Sequence, residues 1–258
     1  MKNKQTMKNG NVIEVENVSL KYNQPSEKIG TLKEFFVRLF KGKLKYDEFW
    51  VLNDINLEIK KGESVALIGV NGSGKTTLLK TIAGILEPTK GLVKIAGNVA
   101  PLISLGAGFD SEATAKENVF LNGAILGYSK KEMEAKYDSI VEFSELGEFM
   151  NTPIKNFSSG MLSRLGFSIA VDVNPDILLV DEILAVGDIN FRQKCSKKIE
   201  EILAKGTTLI YVSHNTNEAL RLCKRAIWLK DNHIHMDGPT KDVVNSYLEF
   251  CKEVQSKQ

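Results

Sequence analysis

Gly69-Val70-Asn71-Gly72-Ser73-Gly74-Lys75-Thr76 satisfies the spacing G-x-x-x-x-G-K-[ST], which suits phosphate. Glycines let the backbone curl until successive N–H groups point at phosphate oxygens, and a helix opening at Lys75 adds the partial positive charge of its N-terminus. Lys75 can then reach β- and γ-phosphates, and the Thr76 hydroxyl can ligate Mg²⁺. A flexible Gly/Ser turn could carry the same letters. It would not need an apolar strand before it, Ser64 to Ile68, and a helical pattern after it, Lys75 to Ile85; both are present.

Two further stretches suit the same chemistry. Ile177-Leu178-Leu179-Val180 reads as a buried strand and runs into Asp181-Glu182. Asp181 is placed to hold Mg²⁺ directly or through water, and Glu182, one residue on, to orient the water that attacks a γ-phosphate. Without the upstream glycine loop, two acids at a strand end would read as a solvated turn. Asn156-Phe157-Ser158-Ser159-Gly160-Met161 precedes a helix, Gly160 to Val173. Its plain reading is an N-cap by Ser158 or Ser159, and its chemical reading is a second anion-binding helix terminus without a lysine of its own. Downstream of Asp188, the strand Thr207 to Val212 ends at Ser213-His214.

The elements that must position these groups alternate. Ile13, Val15 and Val18 mark a half-exposed strand from Val12 to Leu20, closed by Tyr22, and strand alternation returns from Val51 to Ile59. Between them Leu32, Phe35, Phe36, Leu39 and Phe40 repeat at helical spacing behind a Thr31/Glu34 capping box. Six Lys or Arg and one acid lie between Lys28 and Lys45, so this inserted helix is basic and amphipathic. Short strands at Val93 to Ile95 and Val99 to Ile103 precede a helical stretch from Ala115 to Phe149. Further on come helices Phe191 to Ala204 and Asn215 to Leu222, strands Ala226 to Leu229 and His233 to Met236, and a last helix Lys241 to Cys251. The pattern predicts an α/β fold of a single domain over 1–258: a mostly parallel sheet, an antiparallel β flank and an α-helical subdomain at about 104–173. A tail at 1–11, the inserted region at 28–45 and a terminal helical segment at 238–258 complete it. His233-Ile234-His235 places two imidazoles on one strand face, and in a hairpin this reads as incidental rather than as a metal pair.

Composition narrows the classes. The 258 residues are 43% hydrophobic and 26% charged, which excludes a disordered chain. With 34 Lys plus Arg against 32 Asp plus Glu, the net charge is +2, so no overall basic field calls for nucleic acid. Cys195, Cys223 and Cys251 show no CxxC spacing and suggest neither disulfides nor zinc. No signal peptide or membrane span is legible.

Taken together, the glycine loop, the serine-glycine stretch, the strand ending in Asp181-Glu182, Ala185-Val186-Gly187-Asp188 as a D-loop and His214 as a switch histidine resemble an ABC-type ATPase cassette, a P-loop NTPase. The likeness runs from Ile13 to the last helix. It implies a head-to-tail homodimer with two ATP molecules, each between the loop of one subunit and the Ser158-Ser159-Gly160-Met161 signature of the other. It further implies Tyr22 stacked on adenine, Gly69, Asn71, Gly72, Ser73, Gly74, Lys75, Thr76 and Thr77 around the phosphates, and Asp188 at the dimer seam. Thr76 and Asp181 would hold Mg²⁺, with Glu182, His214 and Lys75 catalytic. The usual glutamine before the helical subdomain is missing; Leu105-Gly106-Ala107-Gly108-Phe109 stands there. With Phe157 to Met161 as signature and the inserted helix after Tyr22, this is similar to the ATPase subunits of polysaccharide, O-antigen and teichoic acid exporters. That resemblance implies a peripheral protein on the cytoplasmic face of the inner membrane, working with two copies of a separate permease on an undecaprenyl diphosphate-linked glycan, without nucleic acid. One helix after Gly238 leaves no room for an added carbohydrate-binding domain. A soluble ABC ATPase acting on ribosomes or DNA, or a small-molecule kinase, fits less well: the first is similar to tandem or coiled-coil-bearing cassettes, and the second explains neither the signature nor His214.

Overall fold

A computed structural model describes residues 10–25, 46–103, 106, 108–181, 188–213 and 215–256. Strands β1 (Asn11–Pro25), β2 (Tyr46–Lys60) and β3 (Ser64–Ile68) precede helix α1 (Lys75–Ile82). Strands β4 (Lys90–Ile95) and β5 (Val99–Leu102) lead to helices α2 (Ala115–Ile125), α3 (Lys130–Ser144) and α4 (Ser159–Asp172). The last part holds β6 (Ile177–Asp181), α5 (Ile189–Ala204), β7 (Thr208–Val212), α6 (Thr216–Leu222), β8 (Arg225–Lys230), β9 (His233–Pro239) and α7 (Thr240–Gln255).

The expected mostly parallel sheet is present. Its order is β5-β6-β7-β3-β8-β9, parallel as far as β8, with β9 antiparallel at the edge. β3, β6 and β7 are near-continuous apolar runs because both of their faces are covered. Ala66, Ile68, Leu178, Val180, Leu209 and Tyr211 face one core with Phe167, Val171, Phe191 and Cys195. The alternate residues Val65, Leu67, Ile177, Leu179, Ile210 and Val212 face another, shared with Leu78, Leu79 and Ile82 of α1 and with the flank. That flank is a separate antiparallel sheet, β2-β1-β4. A third apolar cluster gathers Ala115, Val119, Met133, Ile140, Leu146 and Met150 with Leu165 and Ile169. Helix α4 therefore belongs to two cores: Phe167 and Val171 to the sheet, Leu165 and Ile169 to the helical layer.

Several elements differ from expectation. β1 and β2 run 15 residues each, so Tyr22 lies inside a strand rather than closing one; Asn23, Gln24, Asp47 and Glu48 are carried by ladder pairing despite weak strand propensity. Helix α1 stops at Ile82 because Gly84 (φ 71°) turns left-handed, with Gly84 N donating to Thr81 O and Ile85 N to Lys80 O. The helical stretch from Ala115 to Phe149 is two helices and a 3-10 turn, Gly147–Phe149. Gly127 (φ 92°) breaks it, Ser129 and Glu132 cap α3 reciprocally, and the Tyr128 hydroxyl donates to Val173 O at 2.6 Å. The basic helix expected between Thr31 and Gly42 lies outside the described residues.

Candidate phosphate-binding site

β3 delivers the chain into the glycine loop, and the loop's backbone leaves no choice of residue at two points. A Cβ on Gly69 (φ 149°) would lie 2.3 Å from Leu229 O, and one on Gly74 (φ 97°) would lie 2.7 Å from Val51 O. Glycine is thus required by φ and by space together. Gly74 is also the N-cap of α1, left-handed and without a side-chain cap, so the first turn of the helix presents its N–H groups, those of Thr76 and Thr77 among them, to whatever occupies the loop. Lys75 is 6% exposed, and its Nζ donates to Gly69 O and Val70 O at 2.8 Å each. The ammonium thus lies folded back over the loop. Ser73 Oγ is buried without a hydrogen-bond partner, an orphan of the sort a phosphate oxygen satisfies. Ring-like backbone, helix terminus, lysine and orphaned hydroxyl together fit an anionic polyphosphate.

The parallel sheet brings the other groups to the same edge. Asp181 pairs in register with Val212, and Val212 with Leu67. At about 4.8 Å per strand, the end of β6 sits about 10 Å across from the end of β3, and the end of β7 lies between them. Crevices at the carboxyl ends of parallel strands are where such sheets bind ligands. Asp181 is half-buried at that rim. Glu182, next to it, and His214, after Ser213, lie outside the described residues.

The serine-glycine stretch takes its plain role and keeps its exposure. Ser158 is the N-cap of α4, its Oγ accepting from Met161 N at 3.2 Å. Ser159 is exposed, and Gly160 and Met161 are half-exposed in the first turn. α4 packs on α2, α3, β5 and α5, whereas α1 packs on β2, β4, β6 and β7, so the two phosphate-suited helix termini belong to different layers of the chain. Tyr22 is 41% exposed on β1. Of the glycine segment in the glutamine's place, Gly106 and Gly108 have positive φ and Phe109 N donates to Gly106 O; Leu105 and Ala107 lie outside the described residues. His235 packs edge-on against Trp228 at 4.4 Å and His233 Nε2 lies 3.2 Å from Asn53 Nδ2.

Asp188 caps α5, Oδ1 accepting from Phe191 N at 3.0 Å. That backbone bond is the leading reason its carboxyl is held below the usual range. Its Oδ2 pairs with Arg164, a residue that sequence reasoning passed over. Arg164 also pairs with Glu145 at 2.9 Å and lies 4.7 Å over the Phe191 ring, and Glu145 in turn accepts from Lys194. One guanidinium therefore ties the end of α3, its own helix α4 and the start of α5.

The sequence profile of the ABC transporter family matches residues 52–185. The chain belongs to that family. It is 46% identical over 206 residues to the O-antigen export system ATP-binding protein RfbB of Klebsiella pneumoniae, spanning 80% of this chain and 84% of that one. It is 41% identical over 251 residues to the teichoic acids export ATP-binding protein TagH of Lactiplantibacillus plantarum, spanning 97% of this chain and 68% of that one. Among solved structures, the dimeric MJ0796, a bacterial ABC transporter cassette, superposes with a TM-score of 0.68 at 25% identity, over 88% of this chain and 98% of that one. The P-loop NTPase core expected from the sequence is the fold this likeness identifies.

Within such a cassette the Arg164 junction carries its own expectation. Arg164→Met keeps the stem over Phe191 and removes both ion pairs, so ATP affinity should stay within about twofold while turnover falls about tenfold through misplacement of Asp188. Steady-state ATPase rates beside nucleotide titrations check this. Equal loss of affinity and turnover would reduce Arg164 to a support of the fold.

Proposed function

We propose that this chain is the ATP-hydrolysing subunit of an exporter that moves a lipid-linked surface glycan, an undecaprenyl diphosphate-linked polysaccharide or a teichoic acid, across the cytoplasmic membrane. The observation that carries the reading is the likeness to RfbB and TagH along most of the chain, joined to a loop whose glycines, lysine and orphaned serine suit a triphosphate. Lys75 would swing from the Gly69 and Val70 carbonyls to the β- and γ-phosphates. Thr76 and Asp181 are the oxygen ligands for Mg²⁺, which when bound neutralises developing phosphate charge. Glu182 orients water, and His214 contacts the γ-phosphate.

The separation of the two helix termini into different layers supports completion of each site by a second copy, whose Ser159 and Gly160 would close the loop. Among the described residues no helix is long and apolar enough to cross a membrane, so we assign the pore to a separate permease present in two copies, with this chain peripheral on the cytoplasmic face. The reading of one domain with a β flank and a helical subdomain is supported by an apolar cluster shared between sheet and flank and by a separate one within the helical layer.

The test is reconstitution with the permease. Lipid-linked glycan should stimulate ATP hydrolysis; a complex indifferent to it would overturn the substrate assignment. A finer expectation concerns the region outside the described residues. Changing Lys33, Arg38 and Lys41 to Ser keeps the apolar stripe Leu32, Phe35, Phe36, Leu39 and Phe40. If those cations meet anionic headgroups, each is worth about 1 kcal/mol, so export should fall while basal ATPase in detergent stays near normal. Unchanged export would make the helix a packing element.

A further inference from the structure

The flank continues past the core it covers. From Leu20↔Leu52 the β1–β2 ladder runs through Lys21↔Trp50 and Tyr22↔Phe49 to Pro25↔Tyr46. Leu20 and Leu52 are buried in the cluster that contains Leu78 and Leu79 of α1. The register shift beyond them leaves Val51 as the extra residue on β2 while β1 runs on unbroken. Tyr22, two residues past Leu20, therefore shares the α1-facing side. Phe49 stands opposite Tyr22, and directly opposed side chains in an antiparallel pair share a face with Cβ atoms about 5 Å apart.

The position relative to the phosphate loop follows from Val51. Its carbonyl oxygen is the atom that a Cβ on Gly74 would strike, and Phe49 lies two residues further out, about 7 Å along the strand. Tyr22 is 41% and Phe49 55% exposed, and among the described residues neither stacks on another ring. The neighbouring pair is treated differently: Trp50 lies under the ammonium groups of Lys21 and Lys90, at 5.7 and 5.4 Å. Two exposed aromatic rings, unstacked among the described residues, thus stand side by side at the mouth of a polyphosphate cradle.

We propose that Phe49 joins Tyr22 as a second aromatic surface for the purine base of the nucleotide held by Gly69 to Thr76. The inference rests on the ATP-binding reading and adds a residue that the sequence pattern did not single out. A base presents a flat π face whatever its edge groups, so stacking gives affinity with little choice between bases. Phe49 should therefore strengthen ATP and GTP binding alike and leave the phosphate cradle untouched.

Calorimetric titration of the full chain with ATP, GTP and inorganic tripolyphosphate separates the possibilities. Phe49→Ala should weaken ATP and GTP about tenfold each and leave tripolyphosphate unchanged, and Phe49→Tyr should restore both nucleotides. Phe49→Leu, which keeps apolar bulk without a π face, serves if the alanine variant does not fold, and the same loss is expected. Unchanged ATP affinity, or an equal loss for ATP and tripolyphosphate, would overturn the proposal and leave the pair as a hairpin contact. A wild-type chain that binds neither ATP nor tripolyphosphate would overturn the ATP reading itself.

Discussion

Glu182→Gln should leave ATP binding intact and slow turnover by at least about 10²-fold, a loss of about 2.7 kcal/mol of transition-state stabilisation. The proposed phosphate cradle consists of Gly69, Gly74, Lys75 and the first turn of α1, none of which the substitution touches. What changes is the residue after Asp181, where β6 reaches the rim of the sheet. A carboxamide has nearly the shape of a carboxylate but cannot take a proton from water, so chemistry stops while binding continues. The variant should accumulate as an ATP-bound dimer, detectable as a doubled mass in size-exclusion chromatography with nucleotide retained. Single-turnover hydrolysis at near-normal rate would remove Glu182 from its assigned role. Lys75→Ala is the contrast, because losing the buried ammonium should abolish binding before chemistry begins.

The parts of this design that were legible in the sequence are the ones set by local rules. β3, β6 and β7 read as buried strands because a sheet covered on both faces needs unbroken apolar runs, and the glycine loop was legible because φ and steric contact admit only glycine at Gly69 and Gly74. The Ser129/Glu132 capping box and Gly127 were also readable as a helix break, yet the apolar spacing on either side hid it. What stayed hidden depends on pairing at a distance. Arg164 meets Glu145 and Asp188 from 19 and 24 residues away, and no periodicity announces a side chain that joins two helix ends to its own helix. Phe49 acquires meaning only through the register that sets it opposite Tyr22. The outer ends of β1 and β2 carry polar residues, so only the ladder between them reveals strands of that length.

The proposed completion of each active site by a second copy predicts the second large effect. Ser158 is committed to capping α4 through Met161 N, which leaves exposed Ser159 and half-exposed Gly160 as the uncommitted part of that helix terminus. An arginine at 159 adds bulk and puts a cation at the positive end of a helix, where it is disfavoured. It lies in a different layer from α1, so nucleotide affinity of the Ser159→Arg monomer should be nearly unchanged. Hydrolysis should fall by at least about 10²-fold, because the partner's γ-phosphate loses the N–H groups that complete its cage. Mixing supplies the decisive reading. A Lys75→Ala subunit has an intact signature and no working loop, the Ser159→Arg subunit has the reverse, and their heterodimer contains one complete composite site. ATPase activity should therefore reappear on mixing two preparations that are each inactive. Weak nucleotide binding by Ser159→Arg alone, with no recovery on mixing, would mean that the signature serves the loop of its own chain and that the second copy is not needed to build the site.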